Sequence, residues 1–127
     1  MHANDRVAHQ LDMSIDHAAV GSAAVSMTVS DTMCNGLDVC HGGIIFTLAD
    51  TAMAHASNAG GERTLSTTAS IEWLRAAKVG DRLTATSAVV DQRGRNTIHD
   101  IEVTDQHGAR IALVRGQTLT LGGTVAP

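Results

Sequence analysis

Aromatic side chains are nearly missing from this chain of 127 residues, which holds one Trp, one Phe and no Tyr. Hydrophobic residues still make up 43% of it, so the core must be assembled from Ala, Val, Leu, Ile and Met, which bury less area each than a ring does. A single small domain built this way gains by burying more surface against copies of itself, and self-association is expected on that ground alone. Basic charge is scarce too. Nine Lys and Arg stand against 13 Asp and Glu, a formal net charge of -4, which is the wrong field for a general nucleic-acid or membrane-surface binder, although local basic patches remain open. The only cysteines are Cys34 and Cys40; with His41 they raise the question of a metal, but their spacing fits no zinc template, and two reduced thiols and no metal are expected. No stretch approaches the ~18 apolar residues of a membrane span, and Met1 to Gln10 has no apolar signal-peptide core. A cytoplasmic protein is the expectation. There is no internal repeat, low-complexity tract or linker, and the length fits one domain over residues 11–127 behind a leader of residues 1–10, flexible or forming a short helix.

The rest of the chain is organised around Cys40 to Asn58, CHGGIIFTLADTAMAHASN. Ile44, Ile45, Leu48, Ala49, Ala52, Met53 and Ala56 follow the spacing of an amphipathic helix about four turns long. Thr47, Asp50, Thr51 and Asn58 fall on its other face, and Ala59-Gly60-Gly61 ends it. Gly42 and Gly43 leave the N–H groups of the first turn bare, so a polarised oxygen can approach them with the helix dipole behind them. Asp50 is mid-helix, where an aspartate is neither a cap nor favoured by propensity; it is either a solvated surface acid or a functional one.

Alternation marks the other elements. Leu11, Met13 and Ile15, then Val25, Met27 and Val29, read as two strands joined near His17 to Gly21. Asp31 to Cys40 has no period and reads as a loop feeding the helix. Past the helix, Arg63 to Leu74, Leu83 to Val89, Asn96 to Val103 and a run from Ile111 read as strands, separated by turns at Val79-Gly80-Asp81, Arg93-Gly94-Arg95 and Gln106-His107-Gly108. The order is β-β-α-β-β-β-β. One apolar helix beside a long antiparallel sheet is best buried by a sheet that curls around it, an α+β arrangement.

His41-Gly42-Gly43, Leu48-Ala49-Asp50-Thr51-Ala52 and Asn58, preceded by Asn35-Gly36, resemble the signature of the hotdog-fold acyl-CoA thioesterases of the phenylacetate-degradation type. The resemblance runs from about Leu11 to Gly123 and takes in Ile71-Glu72-Trp73-Leu74-Arg75, Gly80-Asp81 and Arg115-Gly116. Ala76 stands where the family usually has proline. The resemblance implies a hotdog fold, hydrolysis of an acyl-CoA such as phenylacetyl- or hydroxyphenylacetyl-CoA, no cofactor beyond the coenzyme A of the substrate, and a homodimer that pairs into a homotetramer. It also implies roles. The Gly42 N–H binds the thioester oxygen, Asp50 is general base or nucleophile, Asn35 places the water or the carbonyl, and His41 holds the loop or caps the helix.

Gly43, Thr51 and a hydroxyl from Ser66 or Thr67 are supporting candidates. Each has an ordinary reading as well: a tight-turn glycine, a turn asparagine, a threonine bonded back to its own helix. Arg93 and Arg95, flanking a glycine turn, are candidates for the coenzyme A phosphates, against a plain role in solubility. Met53, Phe46 and Trp73 are either acyl-pocket lining or core. Two other functions remain open: a hotdog protein that binds acyl-CoA without turnover, and a hotdog hydratase, whose motif differs in keeping its acid near the helix start.

Overall fold

A computed structural model describes residues 2–124 of the chain. Six antiparallel strands form one sheet, in the spatial order β1 (Ser14–Ala19), β2 (Ser22–Thr28), β4 (Arg82–Arg93), β5 (Asn96–Thr104), β6 (Arg110–Thr124) and β3 (Glu62–Trp73). The long helix α2 (Gly42–Asn58) lies in its concave face, packed on all six strands. A shorter helix, α1 (Arg6–Gln10), precedes the sheet; Asp5 caps it by accepting the Ala8 N–H over 3.0 Å. It settles the first residues as helix in part, because Ala8 is buried and packs into the core.

The inner face of the sheet presents Val25, Met27, Leu83, Ala85, Ile101, Val103, Ala112 and Val114 to Ile45, Leu48, Ala49, Ala52 and Met53 of α2. None of these is larger than methionine, so the helix sits close to the sheet. At Gly116 it sits so close that a Cβ there would run into the Met53 thioether. Burial of this apolar set at roughly 25 cal/mol per Å² is what holds helix and sheet together.

Two boundaries differ from the pattern-based expectation. Strand β1 begins only at Ser14, because Leu11 caps α1 and Asp12 takes a left-handed φ of 55° to turn the chain. The hairpin turn is at Val20-Gly21, with Gly21 at φ 84°, and His17 belongs to the strand. The strand β3 is an edge, and nearly every side chain along its twelve residues is exposed, Leu65 and Trp73 at 57% and 53% included. An uncovered edge of that length is a template for pairing with another chain. Among the described residues no helix is long and apolar enough to cross a membrane.

Candidate active site

The N-terminus of α2 is built by His41, whose backbone is extended and whose ring Nδ1 accepts the Gly43 N–H over 3.3 Å. The His41 carbonyl accepts from Ile44 and Ile45 at 3.0 and 3.2 Å. Gly42 N–H shares in none of these bonds and stands in the first turn, at the positive end of the helix dipole, where a polarised oxygen can bind. Trp73, at the far end of β3, lies against this turn: its indole Nε1–H donates to the Gly42 carbonyl over 3.2 Å, and a Cβ on Gly42 would come within 3.0 Å of the ring. Gly43, with its N–H held by the His41 ring, is left to shape the turn.

Asp50 lies two turns further along, half-buried, with Ser66 of β3 donating its hydroxyl to Oδ1 over 3.4 Å. Burial pushes its carboxyl above the usual aspartate range; the Ser66 hydrogen bond opposes this, and the nearby charge of Asp5 reinforces it. A carboxylate kept partly dry and beside a like charge is a better base than a solvated one.

Thr67 does not share the work of Ser66. It is the extra residue of a bulge between Ser66 and Thr68, and its hydroxyl donates to the Gln117 carbonyl over 3.2 Å. Bulges re-aim a side chain, and this one turns Thr67 away from the acid. Thr51 is likewise turned away. The helical period puts it on the wet face, yet it is buried and donates to the Thr47 carbonyl over 2.7 Å, so it holds the helix rather than Asp50. Asn58 also serves the fold, binding the Thr64 N–H at 3.0 Å and the Ala54 carbonyl at 2.8 Å.

Asn35 opens the turn before α2. Its Oδ1 accepts the Leu37 N–H over 2.9 Å, which fixes the side chain and leaves its amide N–H groups without a partner among the hydrogen bonds of the described residues. It is therefore both turn former and available donor.

The glycine turn Arg93-Gly94-Arg95 joins β4 to β5, with Gly94 at φ 59°. Of the two arginines only Arg93 lines the groove of about 530 Å³ at this hairpin, beside the acid Asp91 and with Gln92, Asn96, Ile98 and Gln117; the Arg95 carbonyl accepts the Thr120 N–H over 2.8 Å. The register aligns Asn96 with Leu119 and Leu119 with Leu65, so the turn lies level with Ser66 and about two strand spacings, ~10 Å, across the sheet. Of the three residues left open between pocket and core, Met53 is core, Phe46 is half-buried against it, and Trp73 is the exposed ring on Gly42.

Two contributors were not legible in sequence. Asp5 belongs to the stretch read as leader, and no sequence signal ties it to Asp50. Trp73 carried a signal, as the chain's one tryptophan on a strand among small residues, but not its target.

The Thioesterase superfamily model matches residues 37–112, which spans α2 and the strands β3 to β5 just described. The chain belongs to the thioesterase superfamily. It is a thioester hydrolase with the hotdog fold, and its relatives agree over nearly the whole length. The acyl-coenzyme A thioesterase PaaI of Escherichia coli is 41% identical over 125 residues, covering 98% of this chain and 89% of that protein. The structure of E. coli PaaI, from the phenylacetic acid degradation operon, superimposes with a TM-score of 0.96, covering 99% and 91% of the two chains at 40% identity. A Streptococcus mutans protein bound to acetyl CoA superimposes with a TM-score of 0.84 at 26% identity, over 89% and 91% of the chains.

Proposed function

We propose that this thioesterase hydrolyses acyl-CoA, with an aryl-acetyl group such as phenylacetyl or hydroxyphenylacetyl as acyl part, to the free acid and coenzyme A. The observation that carries the proposal is the half-buried Asp50, held by Ser66 and raised in pKa, on the same helix as the unpartnered Gly42 N–H. The E. coli relative named as an acyl-coenzyme A thioesterase supports the substrate class. Gly42 N–H takes the negative charge that develops on the thioester oxygen, helped by the helix dipole. Asp50 delivers the attacking oxygen, directly or by deprotonating water, and the thiolate of coenzyme A leaves. Asn35 directs its free amide donors at the carbonyl or the water, and His41 and Ser66 fix the two reacting groups. Arg93 contacts the nucleotide phosphates as they cross the β4–β5 turn, with Arg95 adding charge behind it. The reaction asks for no further cofactor.

The site belongs to two protomers. Gly42 and Asp50 are eight residues apart on one helix, roughly 12 Å along the axis at 1.5 Å per residue, whereas one thioester carbon must lie within hydrogen-bond reach of both groups or their water. Pairing two copies along the bare edge of β3, related by a two-fold axis, sets two α2 helices side by side and antiparallel, so that Gly42 of one faces Asp50 of the other. The dimers associate further into a tetramer. A cytoplasmic location belongs to the same proposal.

A panel of acyl-CoA thioesters, read by trapping the released thiol, tests the function. Hydrolysis with preference for aryl-acetyl groups is expected. Tight binding with no thiol release on any member would point to a non-catalytic acyl-CoA binder, and hydration of an enoyl-CoA without release to a hydratase.

A further inference from the structure

The loop that carries Asn35 is a miniature hairpin. Asn35 N–H donates to the Val39 carbonyl over 2.9 Å, His41 N–H to the Met33 carbonyl over 2.8 Å, and between these two bonds Cys34 and Cys40 face each other as an antiparallel pair. The turn itself is tight: Asp38 N–H donates to the Asn35 carbonyl over 3.1 Å and Asp38 takes a left-handed φ of 60°, the three-residue hairpin loop with its last residue left-handed. A pair flanked rather than joined by its hydrogen bonds holds its Cα atoms about 4.5 Å apart with side chains on the same side. A disulfide spans Cα separations of about 4.4–6.8 Å.

We propose that Cys34 and Cys40 are a reversible redox pair, closed by peroxide into a disulfide that locks the Asn35 loop and switches the site off. In the reduced protein both thiols are free, and each is turned toward a carbonyl: Cys34 to Ser30 at 3.7 Å, Cys40 to His41 at 3.8 Å. Rotation about each Cα–Cβ bond brings the sulfurs together while the Cys40 backbone is held by its N–H bond to the carbonyl of Ala77, in the connection between β3 and β4, at 2.7 Å. Cys34, half-buried, is the thiol that meets the oxidant. Cys40 is buried, and burial followed by the neighbouring Cys34 pushes its thiol up to about 11, so it is inert toward solvent. Among the described residues no third His, Cys, Asp or Glu joins the two sulfurs in a metal-ligating group.

The chemistry balances with one hydrogen peroxide. The Cys34 sulfur attacks the peroxide, the O–O bond breaks, and Cys34 becomes a sulfenic acid as one water leaves. The Cys40 sulfur then attacks the Cys34 sulfur; the S–S bond forms, the S–O bond breaks, and the hydroxyl departs as a second water with the Cys40 proton. Two thiols are oxidised by two electrons and the peroxide is reduced by two. Holding the sulfurs across one hairpin rung offsets the poor nucleophilicity of Cys40. A disulfide favours a Cα separation of about 5.5–6 Å, wider than the ~4.5 Å of this pair. Closing the bond therefore spreads the two sides of the hairpin, with Asn35 inside the ring and His41 and Gly42 immediately after it, and both groups proposed to receive the carbonyl shift.

The loss of activity rests on the hydrolase reading; the bond does not. The test is a brief exposure of the reduced protein to hydrogen peroxide, followed by alkylation, intact mass and turnover. The wild type is expected to lose about 2 Da and take up no alkyl label, to lose turnover fivefold or more, and to regain both with dithiothreitol. Cys34→Ser is expected to keep its turnover through the same treatment. Two thiols still open to alkylation, oxygen adducts of about 16 Da without a cross-link, or a bond between chains would overturn the pair. A cross-link within the loop that left turnover unchanged would overturn the switch. Inactivity of the untreated reduced protein would count against the hydrolase reading instead, and the mass would still decide the pair.

Discussion

The indole of Trp73 rests on Gly42, donating to its carbonyl over 3.2 Å, so the residue proposed to offer the oxyanion N–H is held by a ring from the far end of β3. Gly42 therefore has two reasons to lack a side chain: in the proposed site a carbonyl approaches its N–H, and a Cβ would stand 3.0 Å from the indole. Gly42→Ala is expected to cost about 1 kcal/mol of stability and tenfold or more in turnover. In a Trp73→Ala background the stability cost of Gly42→Ala should disappear while its cost to turnover persists. Urea unfolding and thiol release on the four proteins measure both. If the ring's removal rescued turnover as well, the methyl group would be acting through Trp73 and not on the approach of the carbonyl.

Asp50→Asn is expected to lower turnover on the order of a hundredfold or more with a smaller change in KM, since shape is kept and the base or nucleophile is lost. The same substitution should stabilise the fold near neutral pH. With a folded pKa above the unfolded one, the native state holds the proton more tightly, so Asp50 contributes stability below the ordinary aspartate range, and this is lost as pH rises through the raised folded value. Asparagine, uncharged throughout, escapes that loss. Melting curves of both proteins across acid to neutral pH check the sign: the advantage of the variant should grow as pH rises and then level off. Turnover of the wild type should fall on acidification at a pH above the range of a free aspartate.

Residues buried by their period were legible in the sequence, and residues buried by their neighbours were not. Leu48, Ala52 and Met53 follow from the helical spacing alone, and the turns at Gly80, Gly94 and Gly108 follow from glycine, each with a positive φ. Thr51 belongs by its period to the wet face, but this helix is enclosed on more sides than an amphipathic stripe implies, and Thr51 is buried with the rest. The motif singled out Gly42 and Asp50, while the choice between Ser66 and Thr67 turned on a bulge that no alternation pattern encodes. The contact of Cys34 with Cys40 was hidden because Asp31 to Cys40 has no period, and its pairing depends on a single left-handed aspartate, Asp38.

His99 is a buried imidazole on the inner face of β5, its Nε2 within 3.0 Å of the Thr118 hydroxyl and its Nδ1 without a partner among the described residues. Burial lowers its pKa below the usual histidine value of 6.5. Its neutral form is favoured in the fold, so stability present above pH 6.5 is lost as pH falls from there toward the folded value. His55, lowered first by burial and then by His2, acts in the same direction. The urea midpoint should fall between about pH 7 and pH 5.5, and by less in His99→Gln, which cannot titrate. An equal fall in the variant would remove His99 as a cause.

Replacing Arg93 by alanine is expected to raise KM for acyl-CoA about fivefold or more with little change in kcat, because the guanidinium lines the groove at the β4–β5 turn and the reacting groups are elsewhere. Arg95→Ala should have a smaller effect. An acyl-pantetheine substrate, without the nucleotide, should respond to neither. If both variants bound acyl-CoA as the wild type does, the phosphates would be held at another surface.

The most direct measurement of the central claim, a site made by two protomers, mixes Asn35→Ala with Asp50→Ala by unfolding and refolding the two together. Each homodimer is impaired at both sites. A mixed dimer has one site with both lesions and one with neither, provided Asn35 and Gly42 come from one protomer and Asp50 from its partner. Equal amounts paired at random make about half the dimers mixed, so about a quarter of wild-type activity should return. With mixed dimers confirmed by mass, a mixture no more active than its separate components would contradict the shared site and return Asn35, Gly42 and Asp50 to a single chain.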